Sequence, residues 1–310
     1  MTPRATYRLQ LHREFTFADA RAQVPYLARL GISHLYLSPI LTARSGSMHG
    51  YDVVDHTSVG AELGGEAEYR ALVKTLREFD MGVIVDIVPN HMAVGNADNR
   101  LWLDVLEWGR SSRYANFFDI DWDVPDSALK NKILAPFLGQ AYGEVLQAGE
   151  LQLQFDGDTG RFFVAYFEHR FPLAPATYPH LLRLGGDNLI EFSRQFRTVS
   201  LQKVAHRGDT FADVCAALLR QTRSDAAIRQ AIDTLLARFD ARHDDGRQLL
   251  HQLLERQHYR LACWRTAADE INWRRFFDVI QLAGIRIQEP SAFEVVHATI
   301  FRLYAEGLID

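Results

Sequence analysis

Within the first ninety residues, three short apolar segments alternate with two segments of helical period, and that alternation restricts the chain to an α/β fold with parallel strands. Thr6-Tyr7-Arg8-Leu9 reads as a short extended segment. From Phe17 to Leu30 the apolar residues Phe17, Ala20, Val24, Leu27 and Ala28 recur at helical spacing, and Gly31 ends the run. His34-Leu35-Tyr36-Leu37 follows as a second strand, closed by Ser38-Pro39. A polar, glycine-rich loop is expected from Thr42 to Gly65, and Glu66 to Phe79 puts Tyr69, Leu72, Val73 and Leu76 on one helical face. Val83 to Val88 is the third strand, apolar almost throughout, as suits a strand covered on both faces. Such βαβ units fit a doubly wound sheet and a closed barrel alike, and both bind ligands beyond the C-terminal ends of their strands. Asp86, Asn90 and His91 cluster at one such end. No GxGxxG follows the first strand, which disfavours a dinucleotide site, so the barrel is the expected form.

The alternation then breaks. Residues 92–260 read as a large, mostly helical insertion. Helices are expected at Arg100 to Ser111 and at Ser127 to Gln147, the second kinked or broken at Pro136. Leu151 to Phe155 and Phe162 to Phe167 flank Asp156-Gly157-Asp158-Thr159-Gly160 as a hairpin. The two aspartates of that turn lack EF-hand spacing, so a turn is expected there and not a cation site. Further helices are expected near Phe211–Gln221, Asp225–Phe239 and Asp245–Tyr259. Residues 261–310 return to the first pattern, with a helix from Ala292 to Glu306 and Leu308-Ile309-Asp310 as the approach to a fourth strand. The expected architecture is therefore the N-terminal part of a (β/α)8 TIM barrel, about three strands in residues 1–91, with the insertion after the third.

Composition excludes several alternatives. The net charge of the 310 residues is −5 with the charges interspersed, unlike the basic stripe of a nucleic-acid binder. Cys215 and Cys263 are the two cysteines; without CxxC spacing they form neither a zinc site nor a disulfide framework, which fits a reducing compartment. Met1 to Gln10 has no apolar core of a secretory leader, and no run approaches the ~18–20 apolar residues of a membrane span. A cytoplasmic protein without nucleic-acid or membrane partners is expected, its oligomeric state undefined.

Two motifs carry chemistry. Asp86-Ile87-Val88-Pro89-Asn90-His91 sets a carboxylate, an amide and an imidazole where a strand exits into a loop. His49-Gly50-Tyr51-Asp52 offers a ring face flanked by hydrogen-bonding groups, with a glycine permitting close backbone approach. Alone, either is compatible with turn-forming side chains. Together they suit a sugar, which needs an apolar face for the ring and polar partners for its hydroxyls.

In this order and spacing the motifs resemble the α-amylase superfamily of glycoside hydrolases and transglycosidases (glycoside hydrolase family 13). Thr6-Tyr7-Arg8-Leu9-Gln10, Tyr36-Leu37-Ser38-Pro39, Gly46 to Asp52 and Glu62-Leu63-Gly64-Gly65 are similar to the maltooligosyl trehalose synthase family within it. So are Leu106-Glu107-Trp108-Gly109, Phe117 to Trp122, Gln257-His258-Tyr259-Arg260 and Arg274 to Asp278, so the resemblance runs through the insertion. It implies that Tyr51 stacks on the sugar next to the cleaved bond, that His49 and His91 bond its hydroxyls, and that Asp52 and Asn90 also line the substrate. Asp86 becomes a buried supporting carboxylate that orients an arginine near the nucleophile. Asn90 matches a position that binds calcium in many amylases, but one ligand does not make a site needing six or more oxygens, so neither metal nor cofactor is expected.

The resemblance also implies the reaction: the reducing-end α-1,4 bond of a maltooligosaccharide or α-1,4-glucan becomes an α,α-1,1 bond by retaining intramolecular transfer. Retention needs two carboxylates ~5–5.5 Å apart. The family's nucleophile lies in a Gly-Leu-Arg-Ile-Asp-type motif at the fourth strand, whereas Gly307-Leu308-Ile309-Asp310 lacks the Arg-x-Asp context. Asp310 is therefore not expected to be the nucleophile, and no catalytic carboxylate pair is expected in these residues. The family's polar pair after Phe277-Asp278-Val279 is replaced by Ile280-Gln281, a departure at a position that could touch substrate. Two other readings remain: an α-glucan hydrolase of amylase type, or a non-catalytic glucan-binding fragment.

Overall fold

The computed structural model describes residues 2–199, 201–202 and 204–310. Met1, where the leader reading begins, lies outside them. The chain opens with β1 (Thr6–Leu9), α1 (Phe17–Arg29), β2 (His34–Leu37), β3 (Leu41–Ala43), β4 (Val53–Val59), α2 (Gly65–Glu78) and β5 (Gly82–Val85). β1, β2 and β5 form a parallel sheet in that order, pairing Thr6 with His34 and His34 with Gly82. The Thr16 amide donates to Asp19 at the start of α1, and the helix buries Phe17, Ala20, Val24 and Leu27, the face its spacing marked. The stretch from Thr42 to Gly65 is more ordered than a loop: β-branched Val53, Val54, Thr57 and Val59 make β4, which pairs antiparallel with β3. The third strand stops at Val85, although the Asp86 amide still donates to Leu37.

Beyond it come β6 (His91–Ala93), α3 (Arg100–Trp108), β7 (Ile133–Leu138), α4 (Tyr142–Gln147), β8 (Gln152–Phe155), β9 (Phe162–Tyr166) and β10 (His169–Pro172). The helices α5 (Tyr178–Arg183), α6 (Ile190–Val199), α7 (Val204–Ser224), α8 (Ala226–Ala237) and α9 (Asp244–Leu254) follow. The expected helix from Ser127 to Gln147 is not formed as one element. Ile133–Leu138 is a fully buried strand that pairs in parallel with β11 (Tyr259–Cys263), and only Tyr142–Gln147 is helical. An apolar run of strand length buried on both faces carries no period to tell it from a helix, and Pro136 fits the strand because its partner lacks a ladder bond there. The turn at Asp156 is an Asx turn: its carboxylate accepts the Asp158 amide at 2.8 Å, joining β8 to β9, with β10 on the other edge.

The chain closes with α10 (Ala267–Glu270), β12 (Arg275–Phe276), β13 (Val279–Gly284) and α11 (Pro290–Ala305). β13 lies between β12 and β6, so this sheet ties residues 275–284 to the strand that leaves the first motif. α11 packs back on β4, and the Asp310 amide donates to Val83 at 3.0 Å, beside the start of β5. Two separate cores result. One holds Leu35, Leu37, Tyr69, Leu72, Val83 and Leu303; the other centres on Trp102, Phe118, Phe162, Tyr178 and Phe211 of the inserted lobe. Among the described residues, no helix is long and apolar enough to cross a membrane.

Candidate active-site wall

The two motifs meet at the C-terminal ends of β1, β2 and β5. Gly50 has a φ of +77°, and a Cβ there would sit 2.7 Å from the Pro39 carbonyl oxygen. Only glycine fits, and this close approach swings Tyr51 over the strand ends. The turn is braced from within: Ser47 Oγ accepts the Gly50 amide at 3.1 Å and donates to Asp52, while His49 Nδ1 accepts the Tyr51 amide at 3.0 Å. Asp52 therefore faces its own loop, and exposed His49 lies beside Tyr51 with the ring centres 6.0 Å apart.

Tyr51 is the hub. Its hydroxyl donates to Asp86 Oδ2 at 2.5 Å and accepts from Arg8 Nη2 at 3.1 Å, a relay joining β1, the loop after β2 and the end of β5. The Asp86 carboxylate and then burial raise the Tyr51 phenol above its ordinary value, so the hydroxyl keeps its proton. Tyr36, at the end of β2, is raised by burial and by the same carboxylate. Asp86 thus reaches Arg8 by hydrogen bonds through Tyr51, and through space by the charge that helps to raise the guanidinium.

His91 locks the wall from behind. It is 3% exposed, its Nε2 stands 3.0 Å from the Tyr51 carbonyl, and Phe276 stacks on its ring at 4.0 Å. Burial holds the imidazole below its ordinary pKa, partly offset by that carbonyl, so it is neutral and donates from one nitrogen only. The other ring nitrogen, Nδ1, stands 2.8 Å from Asn90 Oδ1, so both nitrogens face oxygens and the single N–H of the neutral ring donates to one of them. The structure thus brings together Tyr51, Asp86, Asn90 and His91, with His49 at the margin and Asp52 as a brace. Arg8, Tyr36 and Phe276 were the residues sequence reasoning left without a role. Arg8 and Tyr36 stood in motifs at strand ends, which was the available signal.

A model of the α-amylase catalytic domain family matches residues 20–176, and so takes in both motifs. The chain belongs to the α-amylase family. It is 36% identical over 312 aligned residues to a Mycobacterium tuberculosis (strain H37Rv) protein described as a candidate maltooligosyl trehalose synthase, covering 99% of this chain. The structure of maltooligosyltrehalose synthase from Arthrobacter ramosus superposes with a TM-score of 0.69 at 36% identity, again over 99% of this chain. This chain spans 30% of the length of each. The intracellular maltogenic amylase of Bacillus subtilis (strain 168) is 37% identical over 98 residues, 32% of this chain and 16% of the relative.

Proposed function

We propose that these residues form the sugar-holding wall of a maltooligosyl trehalose synthase, a (1→4)-α-D-glucan 1-α-D-glucosylmutase working in the cytoplasm. Its substrate would be a maltooligosaccharide, whose reducing-end α-1,4 bond is converted to an α,α-1,1 bond. The observation that carries this reading is the Arg8–Tyr51–Asp86 relay with His91 set behind Tyr51. It fixes a ring face and its polar neighbours before substrate arrives, so less ordering remains at binding. The likeness to the synthases through the insertion favours the isomerase over a plain hydrolase, since the amylase relative matches 32% of the chain. In this reading β1, β2 and β5 are the first three strands of a (β/α)8 barrel within residues 1–91. Residues 92–260 are the insertion and 261–310 the return, with the β6–β13–β12 sheet stitching these parts together.

A retaining transfer needs a nucleophile and an acid/base ~5–5.5 Å apart. Asp86 accepts from Tyr51 and Asp52 from Ser47, so both acids on this wall are engaged in holding it. We infer that these 310 residues hold no reacting carboxylate pair, so that they bind sugar without turning it over. Incubation with maltopentaose followed by product chromatography tests this. Neither glucose nor a trehalose-ended product should appear, and turnover by the 310-residue chain would overturn the assignment. In the whole enzyme, a trehalose-ended product without new reducing ends separates the isomerase from a hydrolase.

A further inference from the structure

Among the described residues, four other than glycine have a positive φ: Asp80, Asn131, Phe167 and Phe277. Aspartate and asparagine tolerate that region, whereas a bulky side chain is strained in it. Both phenylalanines open a two-residue turn. Phe277-Asp278 joins β12 to β13, with Phe276 paired to Val279, and Phe167-Glu168 joins β9 to β10, with Tyr166 paired to His169. Hairpin turns that need a positive φ at this place ordinarily take glycine, asparagine or aspartate. Burial does not account for the choice, because Phe277 is 83% exposed and Phe167 73%. A local rule broken twice in the same way, with most of each ring left in water, marks a functional position.

The two tips are built alike. The Phe277 ring meets Phe276 edge-on with centres 4.5 Å apart, and Phe276 stacks on His91 at 4.0 Å. The Phe167 ring meets Tyr166 edge-on at 4.7 Å, and Tyr166 stacks with His169 at 6.2 Å. Each histidine stands against a backbone carbonyl, His91 against that of Tyr51 and His169 against that of Gly95 at 2.6 Å. Phe277 is therefore continuous with the rim wall. The second tip adjoins the first through one segment, since the Val94 amide, next to Gly95, donates to Gln281 on β13. Beside each ring lies a water-facing carboxylate, Asp278 fully exposed and Glu168 67% exposed. An acid at the ring edge repels phosphates and other anions. A neutral sugar suits both groups, its apolar face covering the ring while its hydroxyls donate to the carboxylate.

We propose that Phe277 and Phe167 are stacking platforms for the glucan chain beyond the unit held at Tyr51, Phe277 for the nearer sugars and Phe167 for the more distant ones. Both tips then belong with the rim, although the second springs from the inserted lobe. The inference rests on the sugar-binding reading above for the chemistry of its ligand.

Calorimetric titration of the 310-residue chain with maltose, maltotetraose and maltoheptaose tests the proposal, for the wild type, Phe277→Gly, Phe167→Gly and Tyr51→Ala. Wild-type affinity should rise with chain length. Phe277→Gly should weaken maltotetraose and maltoheptaose about tenfold, the upper range of an aromatic contact, and leave maltose unaltered. Phe167→Gly should act on maltoheptaose alone. Glycine is the residue such turns prefer, so melting temperatures should hold or rise while affinity falls, whereas loss of a merely structural phenylalanine would lower both. Phe277→Asn and Phe167→Asn serve as the check should glycine loosen a turn. Maltoheptaose affinity unaltered in both tip variants but weakened in Tyr51→Ala overturns the proposal and leaves the rim reading in place. A wild-type affinity that does not grow from maltose to maltoheptaose overturns it as well. If instead the tip variants weaken binding and Tyr51→Ala does not, the platforms stand and the assignment of Tyr51 falls.

Discussion

At the rim, Asp86 is half-buried and accepts a hydroxyl from Tyr51, which in turn is held by Arg8 in contact with water. In the inserted lobe, Glu107 on α3 is 2% exposed, and both its oxygens lie 2.9 Å from Arg161 Nη1. Burial pushes Glu107 up to about 7, against the pull of Arg161. Burial is the largest influence on Arg161 and lowers it, but Glu107 together with Cys215 and Tyr178 outweighs burial and leaves it raised. The acid has lost more water than the base, so burial outweighs the pairing at Glu107 but not at Arg161. The contrast teaches a division of labour. The lobe secures its polar groups by exclusion of water and is built for stability; the rim keeps its groups reachable and holds them through neighbours. Changes in the lobe should then move stability without altering sugar affinity, and changes at the rim the reverse.

The largest effect should come from Asn272. Buried at 5% exposure, its amide accepts from Leu134 at 2.9 Å and donates to Asp121 and Lys132 at 2.8 Å each. Asn272→Leu leaves three backbone groups unpaired, that of Leu134 buried and those of Asp121 and Lys132 part-buried, so at the low end of ~1–3 kcal/mol apiece urea unfolding should show a loss of roughly 3 kcal/mol. Maltotetraose affinity of the folded variant should hold. A parallel loss of affinity under conditions where the variant is fully folded would break the division.

Glu107→Gln tests the lobe's electrostatics. The folded state binds this proton more tightly than the unfolded one, from 4.5 up to about 7. Its contribution is therefore complete below about pH 4.5 and is lost as the pH rises through 7. The swing is on the order of 3 kcal/mol. Unfolding free energies measured across that window should slope downward with pH in the wild type and flatten in the variant. Equal slopes would show that Arg161 fully offsets the burial of Glu107.

Tyr51→Phe sharpens the rim half of the comparison. The ring stays and the hydroxyl between Arg8 and Asp86 goes, so the wall loses its orientation while the packing is kept. Affinity for maltotetraose should fall about tenfold, or ~1.4 kcal/mol, with stability changed by less than ~1 kcal/mol. An unchanged affinity would mean that the relay does not position the ring.

The same contrast decides what could be read from the sequence. The rim was legible because its signals are local: Gly50 before Tyr51, and a polar triple after a buried strand, state their geometry within a few residues. Asp52 shows where that fails, since nothing in the tetrapeptide tells whether a carboxylate faces the rim or its own loop. The lobe was legible only in its helices and its Asx-turn hairpin. Strand β7 was read as helix because its partner, β11, lies more than a hundred residues away and its apolar run has no period. Glu107 stands within a recognised motif, yet its partner Arg161, itself set over the Phe211 ring, lies 54 residues on, where no local pattern brings it.

The finest test lies at Asn90. His91 is held below its ordinary value by burial, so its neutral form supports the fold and the wall above about pH 6.5, and that support is lost as the pH falls through the lower folded value. This slope is opposite in sign to that of Glu107, so acid should strengthen the lobe while loosening the rim. Asn90→Ala removes the amide oxygen that stands against Nδ1 and opens the ring to water. Access of water relieves the burial that keeps the imidazole neutral, so the acid-side loss of maltotetraose affinity should begin at higher pH in the variant. Near neutrality the cost should be only about threefold, or ~0.6 kcal/mol, because water replaces an exposed amide well. The measurement is a set of titrations between about pH 5 and 8. A wild-type affinity flat across that range would show that His91 does not act through its neutral form, and the rim would then owe its shape to Tyr51 and Arg8 alone.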